Sequence, residues 1–294
     1  KMGYFVDLDN PYITYDNKYI ETLWWLIKQL YNKGLLYKGY TIQPYSPAAG
    51  TGLSSHELNQ PGCYRDVKDT TVTAQFAIPA ADWKVLAEKA DLPKEAWGKP
   101  CFVAWTTTPW TLPSNVALCV GPKIEYDIIE TYNPYDAEKL TLVMASSRVA
   151  AYLKPEGEIT DGGELPPYER GDKYVPYRVV ARLTGTELEG LHYRQLMPWV
   201  KPVEKTGELA PKFVNDYAAA HPEKVFTSED GRDRFVEMES EAFRIILGDY
   251  VTTEDGTGIV HIAPTFGADD AKVAREANIP SLFLINKKGE TRPM

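Results

Sequence analysis

From Thr70 onward the chain is a succession of short β-branched and aromatic runs: Thr70–Ile78, Cys101–Trp105, Asn115–Val120, Leu140–Ala145, Tyr177–Leu183, Ile245–Val251 and Gly258–Ile262. Runs of this length bounded by turn residues read as strands. Helical periodicity between them is sparse. It covers Ala80–Ala90, beginning near Asp82 and stopping before Pro93, then Ser147–Leu153, then Asp269–Asn278, closed by Pro280. Strands alternating regularly with helices would predict a parallel βαβ sheet. That alternation is missing, so a complete Rossmann domain is not expected. The pattern predicts an α+β fold with a β-barrel-like core and decorating helices.

The first 60 residues have a different texture. Asp16 precedes a stretch in which Ile20, Leu23, Trp24, Ile27, Leu30 and Tyr31 share one helical face, and Gly34 stops it. This predicts an amphipathic helix. Leu35–Pro47, broken by Gly39, Pro44 and Pro47, reads as strand and turn. The pattern changes near Cys63, which suggests a division into residues 1–60 and 61–294. Pro155–Tyr174 and Asn215–Arg234, the second with its Glu229-Asp230-Gly231 turn, read as surface loops. No internal repeat or low-complexity tract interrupts this organisation.

At 294 residues, 44% hydrophobic and 25% charged, the chain can bury a sizeable core. No window approaches the roughly 20 apolar residues of a membrane span. Lys1-Met2-Gly3-Tyr4-Phe5 carries no signal-peptide pattern, and both ends read as cuts inside a longer chain. Cys63, Cys101 and Cys119 are widely spaced and contain no CxxC pair, so neither a disulfide framework nor a zinc site is expected. A reducing cytoplasm fits best. The net charge of −9 argues against broad binding to a nucleic-acid backbone, which needs clustered Lys and Arg. Any nucleic acid is expected to enter as a short single-stranded end held in a pocket.

Two segments concentrate polar groups. Trp105-Thr106-Thr107-Thr108-Pro109-Trp110-Thr111-Leu112-Pro113-Ser114-Asn115 places four threonines, a serine and an asparagine beside two stiffening prolines. Such a stretch can offer hydroxyls and backbone N–H groups to a polar ligand. On composition alone it reads as a Thr-rich strand running into a proline turn. Gly256-Thr257-Gly258-Ile259-Val260-His261-Ile262-Ala263-Pro264, followed by Phe266-Gly267-Ala268-Asp269-Asp270, begins with glycines that permit close backbone approach. Taken singly, His261 reads as a satisfied half-buried histidine. Asp269 and Asp270 each read as carboxylates favoured by a helix N-terminus.

Together the segments resemble the paired signatures of the editing domain in the class I aminoacyl-tRNA synthetases for isoleucine, valine and leucine. Tyr37-Lys38-Gly39-Tyr40, Tyr45-Ser46-Pro47, Thr51-Gly52-Leu53-Ser54-Ser55-His56-Glu57 and Tyr64-Arg65-Asp66-Val67 resemble the text flanking that domain. The resemblance covers almost the whole chain and is loosest across Pro155–Tyr174 and Asn215–Arg234. In the valyl and leucyl branches the Thr-rich segment typically continues Arg-Pro after two threonines. Here Thr106-Thr107-Thr108-Pro109-Trp110 is similar to the isoleucyl form. The place of His261 is typically Lys in the valyl branch and Met in the leucyl one. The activating signatures of the family, His-x-Gly-His and Lys-Met-Ser-Lys-Ser, are absent, so no aminoacyl-adenylate is expected to form.

The resemblance implies a hydrolase for valine esterified to tRNA(Ile). Isoleucine and valine differ by one methylene, the standard example of a difference that a pocket discriminates by only about 1–3 kcal/mol. A second, narrower site then removes the smaller product. By resemblance Asp270 holds the α-ammonium of the valyl group, while Asp269 is left as a helix-cap residue. Thr108 and Asn115 hold the attacking water. Thr106 and Thr107 contact the terminal adenosine or the ester, and Trp110 and Thr111 shape the side-chain pocket. His261 limits pocket size, orients the substrate, or both. Gly256, Thr257 and Ala263 complete the expected substrate-binding set. Residues 1–60 would connect to the catalytic domain, and residues 61–294 would form the editing domain.

The implied partners are the 3′ end of tRNA(Ile) carrying valine and the rest of a longer synthetase. No membrane is implied, and a monomer is expected. Editing needs no cofactor. ATP and magnesium would serve only activation by the longer enzyme. Three hypotheses follow: a hydrolase active on its own, a binding module silent on its own, and an insertion that has lost editing. Retention of the Thr-rich segment and Asp270 argues against the last.

Overall fold

In the computed structural model, residues 7, 9–36, 42–46, 48–160, 162–208, 210–228 and 231–284 are described. The flanking motif 37–40, Pro47, and Glu229 and Asp230 of the expected turn lie outside the described residues.

Helix α1 (Asn17–Asn32) starts where the sequence predicts, because the Asp16 carboxylate accepts from the Lys18 N–H at 2.8 Å. Gly34 follows with a φ of 68°. None of its residues is buried, and Trp24 and Trp25 remain 66% and 60% exposed. A two-residue strand pair follows, β1 (Tyr45–Ser46) with β2 (Thr51–Gly52), then one capped turn of helix, α2 (Ser55–Leu58).

The remainder runs β3 (Val72–Ala77), α3 (Ala80–Lys89), β4 (Lys99–Thr106), β5 (Ala117–Val120), β6 (Glu125–Tyr132), β7 (Lys139–Ala145), α4 (Val149–Tyr152), β8 (Tyr177–Thr184) and α5 (Gly185–Leu188). It continues with β9 (Val203–Lys205), α6 (Lys212–Ala220), β10 (Val225–Thr227), β11 (Arg234–Glu237), β12 (Arg244–Leu247), β13 (Ile259–Ile262) and α7 (Ala268–Glu276). The α+β expectation holds. Among the described residues the sheets stay open rather than closing into a barrel. One has five strands in the order β3-β4-β7-β6-β8, and another has three in the order β12-β5-β13. Their strands are mixed in direction: β4 is parallel to β7 and β12 to β5, while the other pairs are antiparallel. Phe76, Phe102, Leu118, Ile128, Val143, Ile245 and Ile262 share one apolar core between them, with β13 against β4. That packing aligns the end of β4 with β13.

One expectation needs correction, and one strand had no counterpart in the sequence reading. Asn215–Arg234 is not one loop: α6 and the β10–β11 hairpin occupy much of it, because Val214, Val236 and Met238 bury a small core of their own. Strand β6 lies inside the five-stranded sheet between β7 and β8, although its acidic residues hide it in the sequence. Asp127 is 2% exposed and is held by Arg182 at 2.6 Å and Ser146 at 2.6 Å. Glu130 pairs with Arg178.

Candidate active site

β4 ends at Thr106, and the chain turns through a 3-10 segment, Pro109–Ser114, before entering β5. β13 runs antiparallel to β5 with His261 opposite Leu118. The turn therefore lies beside His261 despite a separation of 150 residues. The Thr111 hydroxyl sits 3.0 Å from His261 Nε2. Thr111 donates to the Thr108 carbonyl at 2.8 Å, and its Oγ1 lies 3.3 Å from Thr108 Oγ1. Thr108 Oγ1 is 3.2 Å from Thr106 Oγ1, which also accepts the Thr108 N–H at 3.1 Å. Thr106, Thr108, Thr111 and His261 thus form one continuous bonded row. Thr106 and Thr111 are buried, and Thr108 is half-buried. Thr107 and Trp110 are exposed on the same turn.

Burial lowers the His261 pKa to about 4, so the ring is neutral near pH 7. Its Nδ1 is buried with no hydrogen-bond partner among the described residues.

Asn115 is placed differently from Thr108. It is 2% exposed, its Nδ2 donates to the Ala117 carbonyl at 2.8 Å, and its Oδ1 accepts from the Tyr193 hydroxyl at 2.6 Å. Its amide therefore braces the exit of the turn from inside the core. Nothing in Leu191–Arg194 marks Tyr193 as the partner of a residue 78 positions away.

The glycine-rich start of β13 is a backbone junction. Gly256 and Gly258 have φ of 67° and 74°, the left-handed region that glycine occupies without strain. A Cβ on Gly256 would meet the Trp105 ring at 2.9 Å, and one on Gly258 would meet Ala145 at 2.4 Å. Thr257 is 1% exposed and its carbonyl accepts the Ala145 N–H at 2.9 Å. Arg148 donates to the Gly256 carbonyl at 2.8 Å and the Tyr126 hydroxyl to the Gly258 carbonyl at 2.8 Å.

At the other end of β13, Ala263 is buried and its N–H donates to Asp270 Oδ2 at 2.9 Å. Asp270 lies in the first turn of α7, half-buried, beside the exposed Asp269. Burial raises the Asp270 pKa. The Ala263 hydrogen bond opposes that rise and the Asp269 charge adds to it. The Tyr250 phenol and the free Cys119 thiol lie beside each other within electrostatic reach of Asp270. Nothing in the sequence around Tyr250 marks it as a neighbour of this site. Among the described residues no group of three or more His, Cys, Asp or Glu side chains is placed to hold a metal ion.

The family profile described as tRNA synthetases class I (I, L, M and V) matches residues 1–250. The chain belongs to the class I tRNA synthetases. Among members of that family it is 59% identical over 294 residues to the isoleucine–tRNA ligase of Bacteroides thetaiotaomicron, covering 100% of this chain and 22% of that one. It is 57% identical over 294 residues to the ligase of Bacteroides fragilis and 52% over 295 residues to that of Porphyromonas gingivalis, with the same coverage. The chain therefore spans 22% of the length of these curated class I relatives. Among solved structures it is similar to the cytosolic leucyl-tRNA synthetase editing domain of P. knowlesi, with a TM-score of 0.41 and 13% identity over 72% of this chain and 65% of that one. The P. falciparum counterpart gives 0.42 and 10% over 71% and 67%. Neither likeness is close enough to bear on the fold.

Proposed function

We propose that this chain is the hydrolytic editing module of an isoleucine-specific class I synthetase and that it removes valine from tRNA(Ile). The observation that carries this reading is the Thr106–Thr108–Thr111–His261 row, joined through β13 to the carboxylate of Asp270. In this reading Asp270 pairs with the valyl α-ammonium in a charge-assisted bond. Thr108 holds the water, and Asn115 supports the turn that presents Thr108. Thr106 and Thr107 face the terminal adenosine or the ester. Trp110, Thr111 and His261 bound the side-chain pocket, and Gly256, Thr257 and Ala263 line the backbone around it.

The chemistry is ester hydrolysis. The water oxygen bonds to the valyl carbonyl carbon, the carbon–oxygen bond to the ribose breaks, and one water proton ends on the ribose oxygen. An aminoacyl ester is already reactive, so positioning and electrostatics suffice and no covalent intermediate is invoked. Residues 1–60 would seat the module on the rest of the synthetase, consistent with an α1 whose apolar face is unburied. Among the described residues no helix is long and apolar enough to cross a membrane. The module is expected to act as a monomer in the cytoplasm, with no cofactor for this step.

A second reading, a module that binds the aminoacyl end but turns over only within the longer enzyme, is favoured by the net charge of −9. Titration with a non-hydrolysable valylamino-adenosine, against its isoleucyl counterpart, tests the pocket in both readings. Equal affinity for the two would rule out size exclusion. Deacylation of Val-tRNA(Ile) then separates hydrolase from silent module.

A further inference from the structure

Hydrogen counting along the threonine row assigns every proton in it. A threonine hydroxyl has one hydrogen and two lone pairs. The Thr108 carbonyl can only accept, so the 2.8 Å contact from Thr111 Oγ1 commits the single Thr111 hydrogen to that carbonyl. Thr111 Oγ1 must then accept from both of its other partners, His261 Nε2 at 3.0 Å and Thr108 Oγ1 at 3.3 Å. The Thr108 hydrogen is spent on Thr111, so Thr108 Oγ1 must accept from Thr106 at 3.2 Å. Thr106 Oγ1 has a lone pair left for the Thr108 N–H at 3.1 Å. This is the assignment in which every contact is a hydrogen bond.

Two consequences follow. Thr111 Oγ1 is saturated, while Thr108 Oγ1, half-buried at the open side of the row, retains one lone pair and no free hydrogen. The neutral His261 ring carries its proton on Nε2, which makes Nδ1 a bare acceptor, and Nδ1 is the ring nitrogen with no partner among the described residues. We propose that Thr111 is a positioning residue that polarises the hydroxyl row, so that Thr108 offers a bound water an acceptor and never a donor. A water held that way gives a hydrogen to Thr108 and keeps its own lone pairs for the ester carbonyl. A donating Thr108 would tie up a lone pair of the nucleophile. The proposal rests on the hydrolytic reading for its effect on rate, whereas the proton assignment rests on the contacts of the row and on the neutral His261 ring.

The test has two arms on the chain as it exists. Long-range nitrogen–proton spectra of the His261 ring report which nitrogen is protonated. Protonated Nε2 with bare Nδ1 is expected, and the opposite tautomer overturns the assignment. In deacylation of Val-tRNA(Ile), T111V frees the Thr108 hydrogen and should lower kcat about tenfold to a hundredfold, with KM within about twofold. T111S, which keeps the hydroxyl, should recover most of that loss. A T111V chain with the parent kcat, or one whose whole loss lies in KM, overturns the proposal. If the parent chain deacylates nothing, the hydrolytic reading fails, while the tautomer arm still decides the proton assignment.

Discussion

The Ala263 N–H donates to the Asp270 carboxylate at 2.9 Å, tying the end of β13 to the first turn of α7. That bond gives Asp270 a structural task as well as the proposed ammonium contact, and the two separate experimentally. The folded-state pKa of Asp270 is raised, chiefly by burial, so its ionised form is disfavoured in the fold. Its contribution to stability is present below the ordinary carboxylate range and is lost as pH rises through the raised value. Asp270→Asn keeps an oxygen for Ala263 and removes the buried charge. Thermal melting should show the variant at least as stable as the parent near pH 7, while deacylation of the valyl ester falls at least about a hundredfold. A variant that loses stability and keeps activity would make Asp270 a helix-capping residue only.

His261 titrates with the opposite sign. Its folded pKa is depressed from 6.5 to about 4 by burial. The unfolded chain binds the extra proton first, so the stability that the neutral ring contributes is complete above about pH 6.5 and drains away as pH falls towards about 4. His261→Gln has no such titration. Its denaturant midpoint should drop less than that of the parent between about pH 7 and pH 5, and parallel losses would contradict the burial account.

Tyr193 and Asn115 are a second buried pair. Tyr193→Phe keeps the ring, which packs edge-on against Phe76 and Phe243, but leaves Asn115 Oδ1 without its 2.6 Å donor. An orphaned buried acceptor costs about 1–3 kcal/mol. Urea unfolding should show a loss of that size, and an unchanged midpoint would mean that the pair does not brace the turn.

Gly258→Ala should be costlier than an ordinary surface change. The φ of 74° strains any Cβ, and that Cβ would lie 2.4 Å from the Ala145 Cβ. A loss above about 1 kcal/mol in the unfolding free energy is expected. A neutral effect would show that the β13 entry can shift.

Much of this was legible in the chain, for identifiable reasons. The Asp16 cap and Gly34 stop bound α1 because both signals are local. β13 and α7 were readable because Gly256 and Gly258 mark the strand start and the Asp269-Asp270 pair marks the first helical turn. β6 was not, because Asp127 and Glu130 look like loop residues until Arg182 and Arg178 of β8 pair with them. The barrel expectation came from counting strands, whereas the separation into open sheets depends on pairings between distant strands such as β5 with β12. At the site, the Thr-rich segment and His261 could be named from sequence, but their meeting depends on β5 pairing with β13. The partner roles of Tyr193 and Tyr250 are wholly tertiary.

The most direct measurement is the initial rate of deacylation of Val-tRNA(Ile) and of Ile-tRNA(Ile) by this chain and by its Asp270→Ala variant. The account predicts valine release by the parent, persistence of the isoleucyl ester, and loss of the valyl activity in the variant. Equal rates on the two esters, or a variant as fast as the parent, would contradict it.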